Sequence, residues 1–538
     1  QLGNPAAINY YAEAETKNRF ETSMLNLTVT PKLNINRNLF VSEHFSYNLV
    51  NTNEMFYIPI NGTPNYYVSS LGGYRENEVR SLASKQNSLM SDTRIDWSNR
   101  YDEHYIHVFG GARLNWEDFT STAQVGYNTG SDKTPFMSGS LMNKDVVGVN
   151  ESWNTMSWYA QAEYNYLSRY YLQANVTVDG SSRFGQDGGD FRLFKGAWAV
   201  FPGVRASWVM TNEPWLANVN GIDYLRLAVG YDISGNDDID YYAARSYFRA
   251  SQFLQTISGL SFDGIGNTKI KWETTRRLSA GLEGSFLNNR LSLGVNYFRS
   301  NTDDLLTRQQ LGFLSGLDMN WSNGGKLKNE GFDVNFTAKV LALKDFQWQI
   351  GASAGHYKNE IKELPDGAQS MDNQIYGATI RTQVGQAANL FYGYKSLGVF
   401  SSTAEAQAAS AHAAGQDTYD PNGLYFLADN GENHIYFEAG DVHFADLNGD
   451  GMITKADQTF IGDPNPDIYG NIFTSFAWKR LKLDVCFNYS LGNDVYNYMR
   501  SQLEGGSRFM NQTTALLRRW QVEGQVTDVP RITFQDPP

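Results

Sequence analysis

The chain has 538 residues, 14% of them aromatic and 41% hydrophobic, with a formal net charge of -13. A mean hydropathy of -0.45, and the lack of any apolar run of about 18 residues, exclude a helical membrane protein. The acidic balance, with a pI near 5.1, excludes nucleic acid as a partner, because phosphates demand a basic face.

Such a composition fits an all-β wall in which lipid-facing apolar and lumen-facing polar residues alternate and cancel in any window average. The first strands read at Leu39 to Val50 and Tyr105 to Trp116. From Arg169 to Asp179, Tyr170, Leu172, Ala174, Val176 and Val178 alternate with Tyr171, Gln173, Asn175 and Thr177, a period of two. The period returns at Leu225 to Asp232 and at Phe332 to Val340. It is most regular where Leu481, Leu483, Val485, Phe487 and Tyr489 alternate with Lys482, Asp484, Cys486, Asn488 and Ser490.

A soluble sandwich would also alternate, so the connections decide. Tight links at Leu167 to Arg169, Asn288 to Arg290, Ala342 to Asp345 and Lys479-Arg480 contrast with long ones at Gly180 to Ala197, Gly235 to Glu273 and Lys358 to Asp467. Short turns on one rim and long loops on the other mark a transmembrane antiparallel β-barrel. About fourteen such strands are expected. The lone Cys486 can form no internal disulfide, and Gln1 opens without a basic and apolar leader, so any signal peptide is expected to be already removed or to lie outside this sequence.

Asp446-Leu447-Asn448-Gly449-Asp450-Gly451 through Asp457 has the spacing of a calcium loop: oxygen ligands at positions 1, 3, 5, 7, 9 and 12, and glycine at 6 for the sharp turn. That spacing nominates Asp446, Asn448, Asp450, the Met452 carbonyl, Thr454 through water, and Asp457 as ligands of a structural Ca2+. Asp457 stands where a sensor loop has a longer bidentate Glu, which points to a weak, structural site. A metal-free turn rich in Asp, Asn and Gly is the bland alternative.

Other features read as architecture. The acidic run Asp232, Asp237, Asp238 and Asp240 reads as a solvated loop, and Ser402-Thr403-Ala404-Glu405 as a capping box opening a short helix. Gly351-Ala352-Ser353-Ala354-Gly355 matches a nucleophile elbow, but the period-two run Phe346, Trp348, Ile350 leads into it and no helical pattern follows. Tyr241, Tyr242, Tyr247, Tyr419, Tyr425, Tyr436, Tyr496 and Tyr498 are candidates to stack on a ligand, or simply to pack loops.

Specific runs then carry a resemblance. Ala160 to Phe184, ending in DGSSRF, is followed in order by Val200 to Val204, Ser207-Trp208, Glu213-Pro214-Trp215-Leu216, Lys271-Trp272-Glu273-Thr274-Thr275, Gly324 to Phe332, Phe391 to Tyr394, Val399-Phe400, Ile461 to Gly470 and Asp528-Val529-Pro530-Arg531. The series resembles the barrel of SusC/RagA-type TonB-dependent outer-membrane transporters. That resemblance implies a bacterial outer-membrane location and TonB-driven import of oligosaccharides or peptides. It also implies a SusD-like surface lipoprotein as partner, and TonB contact through segments outside this chain. A family barrel has about 22 strands. Residues 1–538 are therefore expected to be a partial barrel without the plug domain and without the family's C-terminal strands. A passive porin or adhesion barrel, and an outer-membrane hydrolase, are the competing readings.

Overall fold

A computed structural model describes residues 16–60, 65–68, 72–139, 141–194, 196–253, 257–311, 317, 319–409, 424–428, 433–506 and 512–532. Its main feature is one antiparallel sheet, and fourteen strands form its continuous path. In chain order these are β1 Lys17–Val29, β2 Leu39–Ile58, β3 Glu78–Tyr101, β4 His104–Tyr127, β5 Met142–Tyr166, β6 Tyr170–Ser181 and β7 Gly196–Val209. They continue as β8 Ile222–Asn236, β9 Glu273–Phe286, β10 Leu291–Asp303, β11 Lys326–Ala342, β12 Phe346–Glu363, β13 Ile468–Trp478 and β14 Leu481–Leu491. Each pairs with its neighbours in sequence, so the path runs from β1 to β14 without a crossover. Strands near the start are longer than the periodicity predicts. β5 spans 25 residues, whereas about 10 tilted residues cross a bilayer.

The turns show why the register holds. Leu167 (φ 55°) and Ser168 (φ 53°) close the β5–β6 hairpin, and Leu287, Asn288 and Asn289 (φ 58°, 60° and 56°) close β9–β10. Left-handed residues give these links the twist that paired strands need. Cross-strand partners then place Leu172, Ala206, Val229, Ala280, Tyr297 and Phe332 in one row on one face. Leu172, Val229, Tyr297 and Phe332 in that row are 41–49% exposed. The β14 set behaves alike: Leu481, Leu483 and Phe487 are 54–67% exposed, and Lys482 pairs with Asp484 at 3.0 Å on the opposite face.

At the tight-turn rim Glu213 collects aromatic residues. Its carboxylate accepts from Tyr170 Oη at 2.5 Å, Trp208 Nε1 at 3.0 Å and Arg169 Nη1 at 3.4 Å. Tyr166, Tyr170 and Trp208 stack in series, with Trp215 edge-on to Trp208. Polar tips held on an apolar body are what a membrane–water boundary selects.

The opposite rim carries the long connections. There Phe184, Ala197, Ala199, Phe201, Ile239, Ala243, Ala244, Ile270 and Trp272 bury one another, and the Phe184 and Trp272 rings lie 4.1 Å apart. The chain divides into two compact units: the wall with its near loops, residues 1–368 and 470–489, and a loop unit, residues 369–469 and 490–538. The loop unit has a four-stranded sheet of Ser370–Ile375, Ala378–Gln383, Leu390–Tyr394 and Gln458–Gly462, and a core of Phe400, Ala406, Leu424 and Ile453. Its helix α1, Thr403–Ala408, opens as predicted, with Ser402 Oγ accepting from Glu405 N at 3.2 Å. The return bond is displaced by one residue: Glu405 accepts from Ser401 N at 2.8 Å.

The Gly351–Gly355 match lies inside β12, which runs on as strand to Glu363. Ser353 packs there under β13: Asn471 N donates to its Oγ at 3.2 Å, and its carbonyl accepts Tyr489 Oη at 2.9 Å. A Cβ on Gly470 would sit 1.9 Å from that carbonyl oxygen. Gly470→Val is therefore expected to lower wall stability by about 1–3 kcal/mol, read as a lower temperature for loss of the heat-resistant gel form. Gly148→Ala, with nothing within 4 Å of the new Cβ, is the control and leaves that temperature in place.

Candidate functional site

Two places gather chemistry, one in each unit. In the loop unit the Asp446 turn closes on itself. Asp446 accepts from Gly449 N and Gly451 N at 2.7 Å each, Asn448 Oδ1 from Asp450 N at 3.0 Å, and Asp450 Oδ1 from Met452 N at 2.9 Å. Gly449 (φ 73°) and Gly451 (φ 80°) hold the left-handed turns this wrapping requires. Thr454 N-caps the short helical turn Lys455–Asp457.

Asp457 is fully buried and ties both ends together. Its Oδ1 accepts from Leu447 N at 3.0 Å and Asn448 N at 3.5 Å, and its Oδ2 from Thr454 N at 2.8 Å and Thr454 Oγ1 at 3.3 Å. Those four donors fill its acceptor sites, while Asp446 and Asp450 each keep lone pairs in reserve. The structure thus brings Asp446, Asn448, Asp450 and Met452 onto one turn and places Asp457 behind it as the tie. Among the described residues no three His, Cys, Asp or Glu groups are arranged to hold a metal ion.

The second place is a cavity of about 390 Å³ in the wall unit, over the loop core around Phe184 and Trp272. Asp240, Tyr241, Tyr242 and Tyr247 come from the connection after β8, Glu151 from the outer half of β5, and Arg308 and Trp321 from the hairpin Leu306–Gln310 with Met319–Asn323. Asp240 is exposed, as a solvated loop predicts, and is also held: Arg308 Nη2 donates to both its oxygens, at 3.0 and 3.2 Å, and Trp321 Nε1 donates at 2.7 Å. Arg308 also lies over the Trp321 ring, 5.0 Å from its centre. Below them Arg183, of the DGSSRF run, stands 4.1 Å over Trp153 and 5.0 Å over Tyr241.

Three of the nominated tyrosines meet here, with Tyr242 and Tyr247 at 6.5 Å between centroids. The rest pack within the loop unit: Tyr425 with Tyr436, and Tyr496 and Tyr498 each with Tyr376. Tyr419 lies outside the described residues. Glu151, Arg308 and Trp321 were not nominated, and only the Tyr241-Tyr242 pair beside Asp240 signalled the place.

The family described as TonB dependent receptor-like, beta-barrel matches residues 2–450. TonB-dependent receptor P3 of Formosa agariphila is 28% identical over 474 residues, 86% of this chain and 44% of that protein. TonB-dependent receptor SusC of Bacteroides thetaiotaomicron is 28% identical over 361 residues, 64% of this chain and 32% of its own length. A chain of the RagAB peptide transporter superposes with a TM-score of 0.78 at 21% identity, covering 98% of this chain and 54% of that one. The chain thus spans under half the length of these curated relatives.

Asp457→Ala would take the acceptor from the partly buried N–H groups of Leu447 and Thr454, each worth about 0.5–1.5 kcal/mol. Limited proteolysis should then cut between residues 444 and 458 several-fold faster, with the wall's cleavage unchanged. Equal cutting would remove Asp457 from its role as the tie.

Proposed function

The chain belongs to the TonB dependent receptor-like β-barrel family, and on that premise we propose that it forms the wall and outer loops of an importer that takes up oligosaccharides or peptides across the outer membrane. The observation that carries this is the two-faced wall. One face is a continuous row of uncovered Leu, Val, Tyr and Phe, suited to the outer-membrane lipid in which the family resides. The other is a charged surface, where Arg113 meets Asp92 at 2.7 Å and Arg94 meets Asp96 at 2.6 Å. His107 bridges Asp96 and Glu163 at 3.1 and 3.3 Å. A surface of paired charges is wetted, and a polar solute passes along it without having to shed its hydration.

Drive by TonB and capping by a SusD-like lipoprotein follow from the family resemblance. A passive porin would let the same solutes through without energy. Deleting the gene, and separately deleting tonB, should each abolish uptake of labelled oligosaccharide or peptide by whole cells. Uptake that survives loss of TonB would overturn the importer reading in favour of a porin.

We also propose that the Asp446 turn binds calcium to pin its loop. Alternate oxygen donors and left-handed glycines support the reading; Asp446, Asn448, Asp450, the Met452 carbonyl and Thr454 would hold the ion, with Asp457 closing the turn behind them. Calorimetry is expected to give a weak dissociation constant, about 10⁻⁴ to 10⁻³ M, lost in Asp450→Ala. No calcium heat from the parent protein would end this proposal.

A further inference from the structure

We infer that the cavity walled by Glu151, Asp240, Tyr241, Tyr242, Tyr247 and Trp321 is a site for a cationic side chain, the guanidinium or ammonium of a basic peptide. The inference rests on the importer reading and narrows its substrate from oligosaccharide or peptide to peptides bearing Arg or Lys.

The site already shows what it accepts. Two of the chain's own guanidiniums sit on its aromatic faces: Arg308 over Trp321 with Asp240 as counter-ion, and Arg183 between Trp153 and Tyr241. Acid beside aromatic is a pairing that holds a cation through charge and the ring quadrupole together, and Arg308 with Asp240 does so here while both stay exposed. One such place is left. Glu151 is half-buried and has no hydrogen-bond or ion-pair partner among the described residues, while Tyr242 and Tyr247 stand on the same cavity.

The local field agrees. Burial, and then the charge of Asp240, raise the Glu151 carboxyl above its ordinary range. Burial, followed by the charge of Glu117, raises the Tyr241 phenol, with Arg183 opposing. An arriving cation relieves both. Glu151 lies fifteen residues before Tyr166 at the tight-turn end of β5, further than the 9–11 residues or so that cross the bilayer, so the site is outside the membrane.

A neutral sugar fits less well, because its hydroxyls would leave the Glu151 charge uncompensated in a half-buried place. Arg245, exposed on the rim, is a counter-charge for a carboxylate of the same peptide. The volume, about 390 Å³, is at the small end of ligand sites. That suits one side chain with its flanking backbone rather than a folded partner.

The test is calorimetry on the full-length protein in detergent, with Gly-Arg-Gly, its uncharged citrulline counterpart Gly-Cit-Gly, and maltotriose. Gly-Arg-Gly should bind at least about tenfold more tightly than Gly-Cit-Gly, and Glu151→Gln should remove that preference. Equal affinity for the two tripeptides, or maltotriose competing with Gly-Arg-Gly, would overturn the cation site. Should Glu151→Gln fail to fold, the comparison on the parent protein decides alone. These results stand apart from the TonB-dependence of uptake: a TonB-independent protein with the arginine preference would keep the site and lose the importer, and a TonB-dependent one without it the reverse.

Discussion

Lipid offers no hydrogen bonds, and the rest of this structure follows from that. Every backbone N–H and C=O inside the bilayer must find its partner on a neighbouring strand. Fourteen strands therefore run in sequence order, and on one rim most links are of two to four residues, several closed by left-handed turns that keep the hairpin in register. Once the register is set, the two-residue alternation does the sorting, since a slip of one residue would turn every apolar side chain to the wrong face. Gly470 shows how little slack remains, with β13 passing so close to the Ser353 carbonyl that no Cβ fits.

Function then falls to what the lipid does not constrain. The long connections are free of the alternation rule, and here they build a small conventional core, Phe184 against Trp272 with Ala197, Phe201 and Ile270 around them. That core fixes the base of the Asp240 cavity. Gly185 and Gly188 let one loop lie directly on the backbone of Thr268 and Ile270. Runs that identify the family in sequence, DGSSRF and KWETT, thus supply the platform: Phe184 and Trp272 pack beneath the cavity, and Arg183 braces Tyr241. The residues lining the cavity come instead from the connection after β8, from β5 and from the hairpin Leu306–Gln310 with Met319–Asn323.

The difference decides what was legible. Alternation and turn spacing reveal β14 and the hairpins at Leu167 and Asn288, because both signals are local in the chain. The Asp446 turn is legible for the same reason, its donors lying within twelve positions. What spacing did not convey is the work of Asp457, whose oxygens are given to N–H groups at both ends of the turn. The Asp240 cavity was nearly invisible: Arg308 is 68 residues and Trp321 81 residues from the aspartate they hold. Read alone, Asp240 was one more acid in a solvated run. Strand length was also underread, since the outer part of β5 is held by pairing with β4 and needs no apolar face.

The central claim, a wall with its apolar row in lipid and its charged row in water, is tested most directly by spin labels on β14. With Cys486→Ser as background, nitroxides introduced at Phe487→Cys and at Asn488→Cys are compared in bilayers for collision with oxygen and with a water-soluble nickel chelate. The account predicts an oxygen-accessible label at 487 and a nickel-accessible label at 488. The reverse pattern, or nickel access at both positions, would contradict it.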